Sequence, residues 1–494
     1  MPTKVGFKSA PQQLVLDERG RVESISNHDG SEKVLLGAVA NGVTGFTTDP
    51  TSLASHGAEH EGMRAPQLYS RIGRNFVAIG HSITADAAQQ SVANVQTWGP
   101  WGYLTWFRRF LGQRIVMPMS SVLAVPGVTV AQVRSGQLAP ALALNPDVLI
   151  IECGVNSITP AGAADTVAQA NATFLSMQAD YLAMIQAARA KGIFTICIGV
   201  RCRSTPTLFT TIQAQLAERF NRWIKTVCKQ DAGCLWYDPN PYYLDYSTGY
   251  AVTSLLRDGT HDTVASARLM GKGLADLIST LLPNHYDLLD MKNGPYDSVS
   301  NPTGALLTNG LLSGAVSISG GGTVTGTAPT GWNIYSTKPA GTVTVACSTE
   351  MVSGYTNLPR QIFTFGGTGD GATIQMQQTQ AIPGNVAIGD WVVFEMLLDI
   401  NLGAGFQQVG ININGRDTSY VSYSQSWDGF PNVSSYGTLA AVSDTGLLFR
   451  TEPIQIKTGA TVLDTFLQII APASGSVSGT VKASLSNCYK VNIN

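Results

Sequence analysis

The chain has 494 residues, 31 Lys+Arg against 33 Asp+Glu, a formal net charge of −2, and only 13% charged residues. No basic run departs from that balance, so the electrostatic footprint of a nucleic-acid binder is missing, and no apolar stretch approaches the roughly 20 residues that cross a bilayer. The length exceeds the ~250–300 residues that one hydrophobic core supports, which calls for two or three domains.

Residues 1–68 read as a small N-terminal appendage. QLVLDERGRVESI forms a β-hairpin with Gly20 at its turn, and the remainder up to Arg64 reads as Gly/Ser/Thr/His-rich loop. The start, MPTKVGFKSAPQQLVLDERG, has no apolar h-region, so no secretory signal is expected.

Residues 69–286 alternate short apolar runs with helical periods, the mark of a parallel sheet covered by helices. Phe76–Ile79 and Val148–Ile151 read as buried strands. Val167, Ala170, Phe174, Met177, Tyr181, Met184 and Ala188 then recur at three and four residues, which predicts one long helix, with Gly192 as its C′ residue. Ile193–Ile198 is the next strand. Leu208, Ile212, Leu216, Phe220, Trp223 and Val227 mark a second helix, and Leu235–Tyr237 a short strand. A last helix carries Val264, Leu274, Ile278 and Leu281 and stops at Pro283.

Residues 287–326 read as a linker, Gly/Ser/Thr-rich from Ser313 to Gly326. Over 327–494 the helical period is gone. Eight short strands are predicted: Val343–Ala346, Gln361–Phe365, Thr373–Gln377, Trp391–Leu398, Val409–Ile413, Ile454–Ile456, Phe466–Ile470 and Val481–Leu485. Their number and spacing suggest an all-β sandwich of jelly-roll type. The seven Cys show no zinc-like C-x-x-C pair and are expected to be free thiols.

In an open α/β sheet, function collects at the carboxyl ends of the strands. The first strand runs into Gly80-His81-Ser82-Ile83-Thr84, where a Ser at a strand-to-helix turn exposes its hydroxyl. The second runs into Cys153-Gly154-Val155-Asn156, where an Asn amide can face a developing oxyanion. Between them, Gly127 can present a bare N–H. Before the last helix stands Asp258-Gly259-Thr260-His261, in which the Asp can reach the imidazole Nδ1–H from the same loop.

GxSxT, a lone Gly, GxN and DxxH in this order resemble the SGNH (GDSL-like) hydrolase family, over under half of the chain. The resemblance implies a flavodoxin-like three-layer α/β/α domain, with Ser82 as nucleophile, His261 as general base and Asp258 as its partner. It implies the Ser82 N–H, the Gly127 N–H and the Asn156 side chain as oxyanion hole, and no cofactor or metal. Two positions depart from the family pattern: His81 stands where Asp is usual before the nucleophile, and Ser157 where Asp is usual after the Asn. His81, Asp86 and His261 have no recognised metal-ligand spacing.

Trp98, Trp101 and Arg201 are the candidates for substrate contact. The aromatic cluster Trp98, Trp101, Tyr103, Trp106 and Phe107 also reads as core packing, and Arg201 and Arg203 also read as solvated loop charges. The β-sandwich resembles the carbohydrate-binding modules of polysaccharide-active enzymes. Together these suggest an O-acetyl esterase acting on a polysaccharide such as a bacterial capsule or O-antigen. A lipase-like or acyl-transferring serine hydrolase and a non-catalytic glycan-binding adhesin are the alternatives. Low charge, the Gly/Ser/Thr-rich β half and the missing leader resemble a bacteriophage tail spike, which implies an extracellular or virion-associated protein. A homotrimer fits that resemblance, although no coiled-coil heptad is present.

Overall fold

In a computed structural model of the chain the described residues are 73–92, 95–282, 304–318, 322–353, 358–429 and 437–491, with five strands between residues 3 and 46. They divide into two compact units, residues 1–72 with 280–283, and residues 73–279 with 284–494.

The first unit holds strands β1 (Thr3–Gly6), β2 (Gln12–Leu16), β3 (Val22–Asn27), β4 (Lys33–Ala38) and β5 (Thr44–Phe46), joined in that order as an antiparallel meander. The expected hairpin is β2–β3, with Leu14 opposite Ile25. Its turn at Gly20 lies outside the described residues. β4 and β5 occupy sequence expected to be loop, because KVLLGA lacks the alternation that identifies a half-buried strand.

In the second unit four parallel strands lie in the order β11-β10-β9-β6: β6 (Phe76–Gly80), β9 (Val148–Glu152), β10 (Phe194–Ile198) and β11 (Cys234–Tyr237). Every residue of β6, β9 and β10 is buried, as expected of parallel strands covered on both faces. Beyond β6, residues 115–123 keep only two parallel bridges, Asn75 to Val116 and Ala78 to Val122. Counting that degenerate strand, the order is 2-1-3-4-5, the flavodoxin-like winding.

Eight helices accompany the sheet: α1 (Ser82–Ala85), α2 (Tyr103–Leu111), α3 (Val130–Gly136), α4 (Leu138–Ala143), α5 (Val155–Ile158), α6 (Val167–Ala190), α7 (Thr211–Gln230) and α8 (Val264–Ser279). Val77, Ile79, Leu149, Ile151 and Cys197 share a core with Val133, Phe174, Tyr181 and Phe220 of α3, α6 and α7. On the other face Phe76 meets Phe107 of α2 edge-on at 5.8 Å, and the Tyr237 hydroxyl donates to the Met270 carbonyl of α8. Helices α3, α6 and α7 each open with a Thr-x-x-Gln capping box, at Thr129, Thr166 and Thr210. Helix α6 ends as its spacing predicts: Gly192 has φ +72°, and Ile193 N–H bonds back to the Ala188 carbonyl. No helix among the described residues is long and apolar enough to cross a membrane.

The strands after residue 304 are β14 (Val316–Ser317), β15 (Val324–Ala328), β16 (Asn333–Ser336), β17 (Val343–Met351), β18 (Pro359–Gly367) and β19 (Thr373–Ala381). They continue with β20 (Trp391–Leu402), β21 (Gln408–Arg416), β22 (Ser422–Asp428), β23 (Val442–Arg450), β24 (Ile454–Gln455), β25 (Val462–Ile470) and β26 (Gly479–Val491). One sheet contains β18-β26-β20-β23 and the other β19-β25-β21-β22, so the chain crosses repeatedly from one sheet to the other. Phe363, Phe394 and Met396 of the first sheet share one core with Ile374, Ile411 and Leu467 of the second.

The sandwich and the α/β layer are one body, where the sequence suggested two domains and a linker. Strand β8 (Val95–Trp98), reached through β7 (Ala88–Val92), leaves the α/β layer and pairs in parallel with β22. Trp101, Trp106, Val264 and Ala267 belong to the sandwich core. Arg109 is fully buried against Asp428, its Nε and Nη2 donating at 3.0 and 2.8 Å, and Arg268 grips Asp444 from both nitrogens. The expected linker 287–326 also contributes structure: β14 and the start of β15 lie in it, and Leu306, Leu307 and Leu312 are core residues.

Candidate active site

Ser82 begins α1 directly beyond β6, and His261 sits in the turn before α8, 179 positions away. The fold brings the His261 Nε2 to 2.7 Å from the Ser82 Oγ. On the other ring edge, Nδ1 lies 2.7 Å from Asp258 Oδ2. Asp258 Oδ1 accepts the backbone N–H groups of Thr260 and His261 at 3.0 and 2.8 Å, so the carboxylate is oriented before it meets the ring. Burial pushes the Asp258 carboxyl up, but the His261 backbone and ring and the Thr260 N–H outweigh it and hold it at about 2. Gly259, at φ +80°, makes this turn; a Cβ there would lie 2.3 Å from the Leu208 side chain.

The loop is fixed on both sides by ion pairs the sequence did not reveal. Arg257 Nη2 donates to Asp86 Oδ2 at 2.7 Å, tying the loop to the residue that ends the helix opened by Ser82. Asp262 receives Arg201 and, at 2.8 Å, the Tyr243 hydroxyl. Arg201 is buried and is no solvated loop charge: it pairs with Asp262 and donates to the Thr260 carbonyl at 3.2 Å, which holds the loop that carries His261. Trp98 and Trp101 are likewise core residues. Trp98 is sandwiched between Arg108 and Glu452, and Trp101 packs into the sandwich. Core packing, one of the two readings of the aromatic cluster, is thus what the structure shows for both.

Of the three oxyanion candidates, the Ser82 N–H meets no acceptor among the described residues. Gly127, φ +80°, stands in an exposed turn with open space around its α-carbon. Asn156 donates one amide proton to the Val128 carbonyl at 3.2 Å, which leaves its second proton free to point outward. Ser157, where the family carries Asp, accepts the Val130 N–H at 2.9 Å. Residues 156 and 157 thus hold the segment that follows Gly127.

His81 turns away from Ser82. Its Nδ1 accepts the Ile83 N–H at 3.4 Å, which caps α1, and its Nε2 faces Glu152 Oε1 at 3.4 Å. Burial, then Arg201, His261 and Arg203, push the imidazole down to about 3, so it stays neutral. Glu152 also accepts Thr84 Oγ1 at 2.9 Å. Burial drives Glu152 up to about 7 against the pull of Arg201. An ordinary family Asp at position 81 would confront this carboxyl with another. Because the Glu152 value lies above its unfolded 4.5, its stabilisation is complete below about pH 4.5 and is lost as pH rises through about 7. Glu152→Gln is expected to remove that decline, which urea midpoints of both proteins at pH 5 and pH 8 will measure.

His81, Asp86 and His261 do not converge on a cation; each is held by the partners already named. Among the described residues, the thiols of Cys197, Cys228 and Cys234 are the one group of His, Cys, Asp or Glu donors near enough to share a metal, all within 4.8 Å and buried. All seven cysteines are free.

This site stands where the winding reverses, between β6 and β9, as expected of an open α/β sheet. Residues 78–268 match the model of the GDSL-like lipase/acylhydrolase family. That stretch is a GDSL-like acylhydrolase domain. No curated protein sequence matches the chain. Among solved structures, the chain is similar to a catalytic mutant of an acetylxylan esterase from Geobacillus stearothermophilus, at 14% identity over 42% of this chain and 96% of that one, with a TM-score of 0.33. It is also similar to the enzymatically active domain of tailspike protein 4 of bacteriophage CBA120, at 13% identity over 33% of this chain and 20% of that one, with a TM-score of 0.23. Membership of this family implies hydrolase activity for the acylhydrolase domain.

Proposed function

We propose that the chain is a serine esterase that removes short acyl groups, O-acetyl above all, from a polysaccharide. The observation that carries this is the Ser82–His261–Asp258 chain, with both contacts of the imidazole at 2.7 Å. His261 Nε2 takes the Ser82 proton as Oγ adds to the ester carbonyl. The Ser82 N–H, Gly127 N–H and Asn156 amide receive the oxyanion. The intermediate collapses as His261 returns the proton to the departing alcohol, which leaves acyl-Ser82. Water, deprotonated by His261, then adds to the acyl group. Ser82 departs with its proton restored, and the acid is released.

Next to the Ser82 turn is a small pocket lined by His81, Ile83, Glu152, Arg201, Arg203 and Thr260, and a polar, partly charged lining of this kind disfavours a long alkyl chain. The polysaccharide, and an extracellular or virion-borne setting, rest on the low charge and the likeness of the sandwich to carbohydrate-binding modules. Free acetate released from purified capsules and O-antigens, against fatty acid released from long-chain esters, tests the proposal; fatty acid alone would replace it with a lipase. Asn156→Ala is expected to lower kcat about 10²–10³-fold with an unchanged circular dichroism spectrum.

A further inference from the structure

Two residues before the nucleophile, Gly80 closes β6. Its backbone faces the degenerate fifth strand, which returns only the Val125 N–H to the Gly80 carbonyl, at 3.1 Å. The Gly80 N–H finds no strand partner there. Gln137, at the junction of α3 and α4 and only 4% exposed, supplies one. Its Oε1 accepts the Gly80 N–H at 2.8 Å, and its Nε2 donates to the Gly80 carbonyl at 2.9 Å. One carboxamide thus occupies both polar groups of the residue from which the nucleophile turn departs. On its other side Gly80 is closed in as well, since a Cβ would lie 2.2 Å from the Glu152 carbonyl oxygen. The turn therefore has one backbone path, set from outside by Gln137 and from inside by β9.

We propose that Gln137 is a positioning residue for the reaction: by clamping both polar groups of Gly80 it sets where Ser82 Oγ lies relative to His261 Nε2. This rests on Ser82 being the nucleophile. Displacement of a reacting group by about 1 Å costs on the order of 10²-fold in rate, and only a side chain that both donates and accepts can make this clamp. Glutamine does so at every pH. A glutamate of the same shape does so only while protonated, because its ionised form has no proton to donate and repels the Gly80 carbonyl. In so buried a place that glutamate titrates above its usual range.

The test compares wild type, Gln137→Met and Gln137→Glu by kcat and KM on p-nitrophenyl acetate and by the rate at which a fluorophosphonate labels Ser82, from pH 5 to 8. Gln137→Met is expected to lose 10- to 100-fold in kcat and labelling rate, with KM within about twofold of wild type. Gln137→Glu, expressed as a ratio to wild type at each pH, is expected to approach 1 in acid and fall at least tenfold toward pH 8, at temperatures well below its melting point. A Gln137→Met protein with wild-type kcat, or a Gln137→Glu ratio flat with pH, overturns the inference. A wild-type protein that is neither labelled nor active overturns the esterase proposal itself, so the two failures are distinct.

Discussion

Ser82→Ala is expected to lower kcat on p-nitrophenyl acetate by on the order of 10⁴-fold or more and to end fluorophosphonate labelling. His261→Ala should cost about as much, and the double variant little more than either, because the two act as one unit. Asp258→Asn should cost less. The Asp258 side chain is 51% exposed, so water screens its support of the imidazolium, and the main loss comes from the tautomer an amide selects. Held at about 2, Asp258 stays ionised through any working pH. Single-turnover and steady-state rates of the four proteins decide the matter. Wild-type labelling of Ser82→Ala would place the reactive group elsewhere.

The second large effect lies far from the reacting atoms. Asp428→Ala leaves the fully buried Arg109 guanidinium without the Oδ1 that accepts both its Nε and Nη2 protons, a loss of about 3–5 kcal/mol in a denaturant titration. Replacing both partners by apolar residues of similar size, Arg109→Met with Asp428→Leu, should restore most of it. A fragment ending at residue 286 should fail to fold, since it exposes Trp98, Trp101, Trp106 and Arg109, each at most 3% exposed in the whole chain. A soluble fragment with a cooperative melt would show the α/β layer to be independent.

The parts of this structure most legible in the sequence are those with a period or a motif. Buried runs such as Val148–Ile151 and the three-and-four spacing of α6 carry their own signal, and each strand end could be searched for a reactive side chain, which led to Ser82, Asn156 and His261. What escaped is long-range pairing. Strand β22, SYSQSWD, buries Ser424, Ser426 and Asp428, so its inward face has no apolar alternation to detect. Strand β23 contains Gly446, which weakens a strand pattern. Gln137, Glu152 and Arg257 meet partners 57, 68 and 171 positions away, and no local spacing announces such contacts. The core position of Trp98 and Trp101 is one of the two readings their cluster allows, but the core they enter is not legible, since β8 leaves one layer for another within a few residues.

The insertion of β8 beside β22 also limits how this gene can be shuffled. A crossover in the stretch that reads as a linker would join an α/β half to a foreign sandwich and strand Arg109, Arg268 and Trp98, whose acceptors Asp428, Asp444 and Glu452 all lie beyond it. Only breakpoints ahead of Trp98 or beyond Glu452 keep those acceptors with their donors. The stretch from Trp98 to Glu452 should therefore be inherited as one block, with variation confined to surface loops.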